Sequence, residues 1–140
     1  MRKKGITIEF KMNEQWDFVA EILDIKGKSF FGGVERCEFS LFQLKHILDI
    51  GFISPEYTFN DSPKVATLFE FGKRAEAHGA TVVYEGFLES KYRCGAQLVV
   101  VGVKVTNFPD SVRLILDFSQ TFHAADEFTA NPKLLRAWYD

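Results

Sequence analysis

Cysteine is scarce in this chain. Only Cys37 and Cys94 are present. They show no CxxC spacing and no dense framework, which excludes a zinc ribbon and a disulfide scaffold. The reading is two reduced thiols in a cytosolic protein, with one long-range bridge between them left open. Long hydrophobic runs are missing too. Nothing approaches the ~20 apolar residues of a membrane span. The N-terminus lacks the apolar stretch of a secretory signal. A cytoplasmic protein without a membrane partner is expected. Charge of one sign is also lacking, with 17 basic against 19 acidic residues and a net charge of −2. That balance gives no electrostatic reason to bind a phosphate backbone. The one basic cluster, Arg2, Lys3 and Lys4, reads as a solubilising start rather than a nucleic-acid arm.

Catalytic signatures are equally absent. Neither GxGxxG nor GxxxxGK[ST] occurs, so Gly32-Gly33 is no phosphate cradle. There is no GxSxG elbow. His46, His78 and His123 have no second His or Cys at helical spacing, so no metal or other cofactor is implied. Each reads as a surface or capping residue. Cys94 lies beside Arg93 and near Lys91, and positive neighbours lower a thiol pKa. Two such neighbours in one loop make an incidental thiol the better reading.

What is present is aromatic. Fifteen Phe in 140 residues, 46% of them hydrophobic, imply a core filled by large rings. The length fits one domain, residues 1–140, with a real core. There is no internal repeat, linker or low-complexity segment.

Ile6, Ile8, Phe10 and Met12 alternate with polar residues, as in a half-exposed strand. Residues 16–25 are ambiguous. Asp17, Glu21 and Asp24 share one helical face. Yet Asp24-Ile25-Lys26-Gly27 is a good turn between two β-compatible runs, so a hairpin is preferred. Ser40 and Gln43 have capping-box spacing, Phe39 and Leu44 fit a hydrophobic staple, and Gly51 suits a helix end. Leu41, Leu44, Ile47 and Leu48 form that helix's buried stripe. A second helix runs from Ser62, as cap, and Pro63 to about His78, stopped by Gly79. Its buried arc holds Val65, Leu68, Phe69, Gly72, Ala75 and Glu76, and Glu70 pairs with Arg74. Ala80 to Glu89 and Ala96 to Thr106 read as antiparallel strands. The run Gln97 to Val101 suits a central strand covered on both faces. A third helix follows Pro109-Asp110-Ser111, with Val112, Ile115, Leu116, Phe118 and Phe122 lining one side, and a strand over Arg113 to Phe118 is the alternative. Asn131-Pro132 turns the chain into a last strand from Leu134 to Tyr139.

The expected fold is therefore a single α+β domain. Its sheet is mainly antiparallel, with two or three helices packed mostly on one face. Two places invite function. Gly86 and Gly102 would leave a dimple on the sheet, a ligand floor, if the strand register pairs them. The C-terminal group Asp126, Glu127, Trp138 and Tyr139 has the composition of a partner-binding or self-association surface. With no catalytic constellation, a non-catalytic protein-binding or regulatory domain is the favoured reading. The alternative is a small enzyme or ligand binder. Its site would lie between sheet and helices, with Glu85 or Glu89 as acid or base.

Overall fold

Among the described residues, five strands hydrogen-bond into one antiparallel sheet, in the order β1-β2-β3-β5-β4. They are β1 (Val34–Ser40), β2 (Thr81–Lys91), β3 (Gly95–Thr106), β4 (Glu127–Ala130) and β5 (Leu135–Trp138). The helices among the described residues are α1 (15–22), α2 (Leu41–Asp49), α3 (Val65–Ala77) and α4 (Val112–Phe122). The computed structural model describes residues 15–25, 33–91, 95–109 and 112–140. The strand expected over residues 6–12, Gly32 and the thiol of Cys94 lie outside the described residues. So does most of the run from Lys28 to Val34.

The preferred hairpin over residues 16–25 is corrected to a helix. Trp16, Val19, Ala20 and Leu23 are all buried, and their spacing is that of one helical stripe. Asp24 is not a hairpin turn residue. It takes a left-handed φ of 58° and ends α1. Ile25 N–H bonds to Ala20 O and Asp24 N–H to Glu21 O, which is a Schellman closure.

Helix α2 follows its sequence signals closely. Ser40 Oγ accepts from Gln43 N and Gln43 Oε1 accepts from Ser40 N, completing the capping box. Gly51 ends the helix at φ 74°. Leu44 and Ile47 are buried, whereas Leu41 and Leu48 are only partly so.

Helix α3 starts later than Ser62 and Pro63 suggest. Its cap residue is Lys64, and Ser62 instead folds the loop, its hydroxyl accepting from Phe59 N. The first helical N–H groups, of Val65 and Ala66, bond to Tyr57 O and Pro55 O. Loop carbonyls therefore satisfy donors that a side-chain cap would otherwise take. Phe71 is fully buried and Phe69 only partly, so the stripe is rotated from the one expected; Glu76 is exposed. Arg74 does not settle on Glu70. It makes two bonds to Asp117 on α4, at 2.8 and 3.0 Å, a better match for a guanidinium than one carboxylate a turn away.

On α4 the buried residues are Leu114, Phe118 and Phe122, while Val112 and Leu116 are exposed. Phe118 and Phe122 meet Phe71 of α3 edge-on at 5.6 and 5.1 Å, and that aromatic cluster sets the helix's rotation.

Strands β2 and β3 pair as expected, and Val99 and Val101 are buried. Across the sheet, Phe39, Tyr84, Val103, Ala137 and Phe128 lie side by side and face the helices. The Tyr84 hydroxyl crosses the interface to donate to Leu68 O, and Gly72 makes room for it. Among the described residues no helix covers the opposite face of the sheet.

Candidate functional site

On that outer face the pairing register lines up Glu38, Glu85, Gly102, Trp138 and Glu127, one from each strand. Glu38 and Glu85 sit directly opposite each other. Like charges in that position repel, so the pair needs cations. Arg36, Lys104 and Arg136 supply them. Arg136 Nε and Nη2 donate to Glu85 Oε1 and Oε2 at 3.0 and 3.1 Å, a bidentate grip. Arg36 Nη2 adds a third bond to Oε2 at 2.8 Å. Arg136 Nη1 reaches Glu127 Oε1 at 3.2 Å, and Lys104 Nζ reaches Glu38 Oε2 at 3.4 Å. The carboxylate hydrogen bonds push the Arg136 guanidinium above its already high pKa, Glu85 contributing most.

The Glu85 side chain is only 1% exposed, although it points away from the helices. Trp138 is the next side chain in the row, with only Gly102 between them. Its ring centroid lies 5.2 Å from the Arg36 guanidinium carbon and 5.1 Å from that of Arg136. Phe87 meets the indole edge-on at 6.2 Å and 82°. The indole Nε1 donates to Asp140 Oδ1 at 2.6 Å. Asp140 N in turn donates to Asp126 Oδ2 at 2.8 Å. Asn60 Nδ2 donates to Asp140 O. Asp140 is therefore tied to Trp138, Asp126 and Asn60, which holds the tail down.

Three of the four tail residues thus meet on one surface: Asp126, Glu127 and Trp138. Tyr139 does not join them. Strand alternation turns it the other way, and it is 2% exposed among core residues. Burial, with the charge of Asp126, raises its hydroxyl pKa to about 12. Its backbone N–H bonds to Val101 O, closing the end of the strand.

Gly86 and Gly102 are not paired. Gly102 pairs with Glu85, and Gly86 with Val100, because Val101 is an extra residue that bulges β3. A Cβ on Gly86 would strike Val99 O and approach Phe39 on the helical side. A Cβ on Gly102 would approach Trp138 and Glu85 on the outer side. The dimple of two facing glycines is not formed. One glycine serves the core and the other the Trp138 platform.

Glu85 is a poor acid or base for a site between sheet and helices. It lies on the other face, and guanidinium N–H groups occupy both of its oxygens. Glu89 is half-buried further along the same strand, paired across to Gln97 and Val34. The structural weight of Glu85 was signalled by one fact of sequence. It is a lone carboxylate inside the apolar run Val82 to Leu88, where a buried charge requires partners. Which arginines would answer it depends on strand order.

Cys37 is buried on β1 and unbridged, and desolvation pushes its thiol pKa to about 12. A thiol held that far from its thiolate is unreactive. His78 and His123 lie within hydrogen-bond distance of carbonyls of their own helices, Arg74 O and Gln120 O. Among the described residues, no three His, Cys, Asp or Glu side chains converge as a metal site, and no helix is long and apolar enough to cross a membrane. No protein-family model, curated protein or solved structure matches this chain.

Proposed function

We propose that this chain is a non-catalytic binding domain that engages another protein through the outer face of its sheet, centred on Trp138. One observation carries the reading. A buried carboxylate fixes two guanidiniums beside a half-buried indole. Tryptophan and arginine dominate the energetics of protein interfaces. Their rotamers normally cost entropy to freeze on binding. Here Glu85 has already frozen the arginines, and Asp140 has oriented the indole. Glu38 and Glu127, 50% and 60% exposed, flank this centre as a charged rim that selects partners.

The test is site-specific photo-cross-linking in the source cell. A photoreactive residue is placed at Glu38 or Thr129 on the outer face, and at Lys73 or Asp49 on the helical side as controls. A defined protein cross-linked from the first two positions, and not from the controls, is the expected result. Cross-linking from the helical positions only, or from none while the protein is folded and abundant, refutes the reading.

A further inference from the structure

Among the described residues, β5 pairs with one edge of β4 and nothing pairs with the other. The bond from Asn131 N to Leu134 O fixes which backbone groups are left over. Antiparallel pairs alternate, so Glu127 and Thr129 bond inward to β5. Phe128 and Ala130 then turn their N–H and C=O groups to the open edge. Such an edge is a template for a further strand. Helix α4 overhangs it. That helix packs on β4 and β5, whereas α3 packs on β2 and β3. Asp117, bound to Arg74, marks the flank of α4 that faces α3. Val112 and Leu116 lie toward the other flank, 68% and 54% exposed. Phe128 stands below them, 40% exposed, its ring 5.5 Å from that of Phe118.

The edge is complementary to itself. A twofold axis makes two identical strands antiparallel, so each backbone donor meets an acceptor. An axis at Thr129 sets Phe128 of each protomer opposite Ala130 of the other, a ring against a methyl group. An axis at Phe128 would instead set ring against ring. Charge follows the same direction. Asp126 and Glu127 stand at the start of β4, and Lys133 lies just past its end, exposed and without an ion pair among the described residues. Antiparallel pairing carries each Lys133 to the other protomer's acidic end. There Asp126 is bonded to a backbone N–H, and Glu127, 60% exposed, has a single 3.2 Å bond to Arg136. The helices fit as well. With strands ~4.8 Å apart, two helices seated over β4 and β5 lie about 10 Å from each other across the axis, which is a helix-packing distance.

We propose that β4 pairs antiparallel with β4 of a second copy of this chain, joining two sheets into one, with the exposed flanks of α4 meeting above the seam. The axis runs through the sheet, so both outer faces lie on the same side. If the proposed function of that face holds, two Trp138 platforms share one surface, and a repetitive target is held bivalently. The pairing itself needs nothing from that reading.

Disulfide trapping of the full chain tests the register. The two Thr129 residues face each other at the axis as a non-hydrogen-bonded pair, Cα atoms about 4.5 Å apart, within the span of a disulfide. Thr129→Cys, with oxidised glutathione as oxidant, should give a covalent dimer. Glu127→Cys, which faces Asn131 of the other protomer, should give at least tenfold less. The wild-type chain, treated alike, supplies the background from Cys37 and Cys94. Sedimentation equilibrium of the untreated chain should show monomer and dimer. Leu116→Lys, on the helix surface, and Ala130→Pro, which removes an outward N–H and no bond to β5, should each weaken the dimer tenfold or more. A wild-type chain that stays monomeric at every concentration overturns the proposal. So does a dimer that neither variant weakens, or trapping from Glu127→Cys as strong as from Thr129→Cys. Photo-cross-linking of a different protein from Glu38, on the far edge strand, does not depend on these outcomes, so the two readings fail separately.

Discussion

Gly102 lies directly across the ladder from Glu85, and its missing side chain is what lets Trp138 lie against the buried carboxylate. A Cβ there would stand 2.7 Å from Ala137 O, 3.3 Å from the Trp138 ring and 3.6 Å from Glu85 Oε1. The first of these is backbone in the neighbouring strand and cannot swing aside. Gly102→Ala should therefore destabilise the protein by roughly 1–3 kcal/mol, the cost of overpacking. Urea unfolding measures the loss. Indole fluorescence should shift in the folded state as Trp138 is displaced. An unchanged spectrum and midpoint would show that the ladder relaxes freely at this point.

The two arginines on Glu85 should not be equivalent. Arg136 makes two of the three bonds, and its side chain is 26% exposed; Arg36 makes one and is 55% exposed. Arg136→Met leaves a buried carboxylate with a single partner and should cost about 3 kcal/mol. Arg36→Met leaves the bidentate grip intact and should cost about 1 kcal/mol or less. Adding Glu85→Leu to Arg136→Met should recover much of the loss, because the stranded charge is then gone. Equal losses from the two arginine variants would mean that the bidentate geometry carries no special weight.

The sequence made some of this architecture legible and hid the rest for identifiable reasons. The capping box at Ser40 and Gln43, the stop at Gly79 and the pairing of β2 with β3 are local or nearly local, and the structure bears them out. The errors lie where distant groups decide. Ser62 has cap chemistry, but Tyr57 O and Pro55 O reach the helix first. Arg74 has a favourable neighbour in Glu70, but α4 brings Asp117 closer to its geometry. Phe71 lies off the expected buried arc, and it is buried because Phe118 and Phe122 of α4 meet it. The site shows the same division. Asp126, Glu127 and Trp138 could be picked out by composition. Glu85 and its two arginines come from three strands, and only the order β1-β2-β3-β5 brings them together.

Part of the tyrosinate absorbance should appear only when the protein unfolds. Burial raises the Tyr139 hydroxyl pKa from 10.0 to about 12, and raises that of Tyr84 further still. These are acids held neutral in the folded state, so their unfolded forms ionise first. Their stabilising contribution is complete below about pH 10. It is lost as pH rises through the window from 10 toward 12, because there the unfolded chain releases protons that the folded chain keeps. Two of the four tyrosines should thus stay un-ionised until alkaline unfolding releases them. Tyrosinate absorbance followed through a pH titration reads this directly. Tyr139→Phe should make stability less steep in that window. A single, unshifted titration of all four would contradict the burial of both rings.

The proposed function turns on Trp138, and the test is whether that residue is a clasp or a contact. As a clasp, it would matter through packing alone, and truncation would cost about 3–5 kcal/mol of stability with binding lost only in proportion. Its half-buried position and its two guanidinium neighbours argue otherwise. Trp138→Leu keeps an apolar side chain on β5 but deletes the indole face and the N–H bond to Asp140. The lost cation–π and hydrogen-bond terms are each worth about 1 kcal/mol at a partly exposed site, so folding should weaken modestly. Association with the cross-linked partner should fall by a factor of ten or more, on the order of the 2 kcal/mol that marks an interface anchor. Thermal unfolding and titration of the purified partner give the two numbers side by side. If stability falls by several kcal/mol while affinity for the partner is unchanged, Trp138 is a clasp and the outer face is not the binding surface.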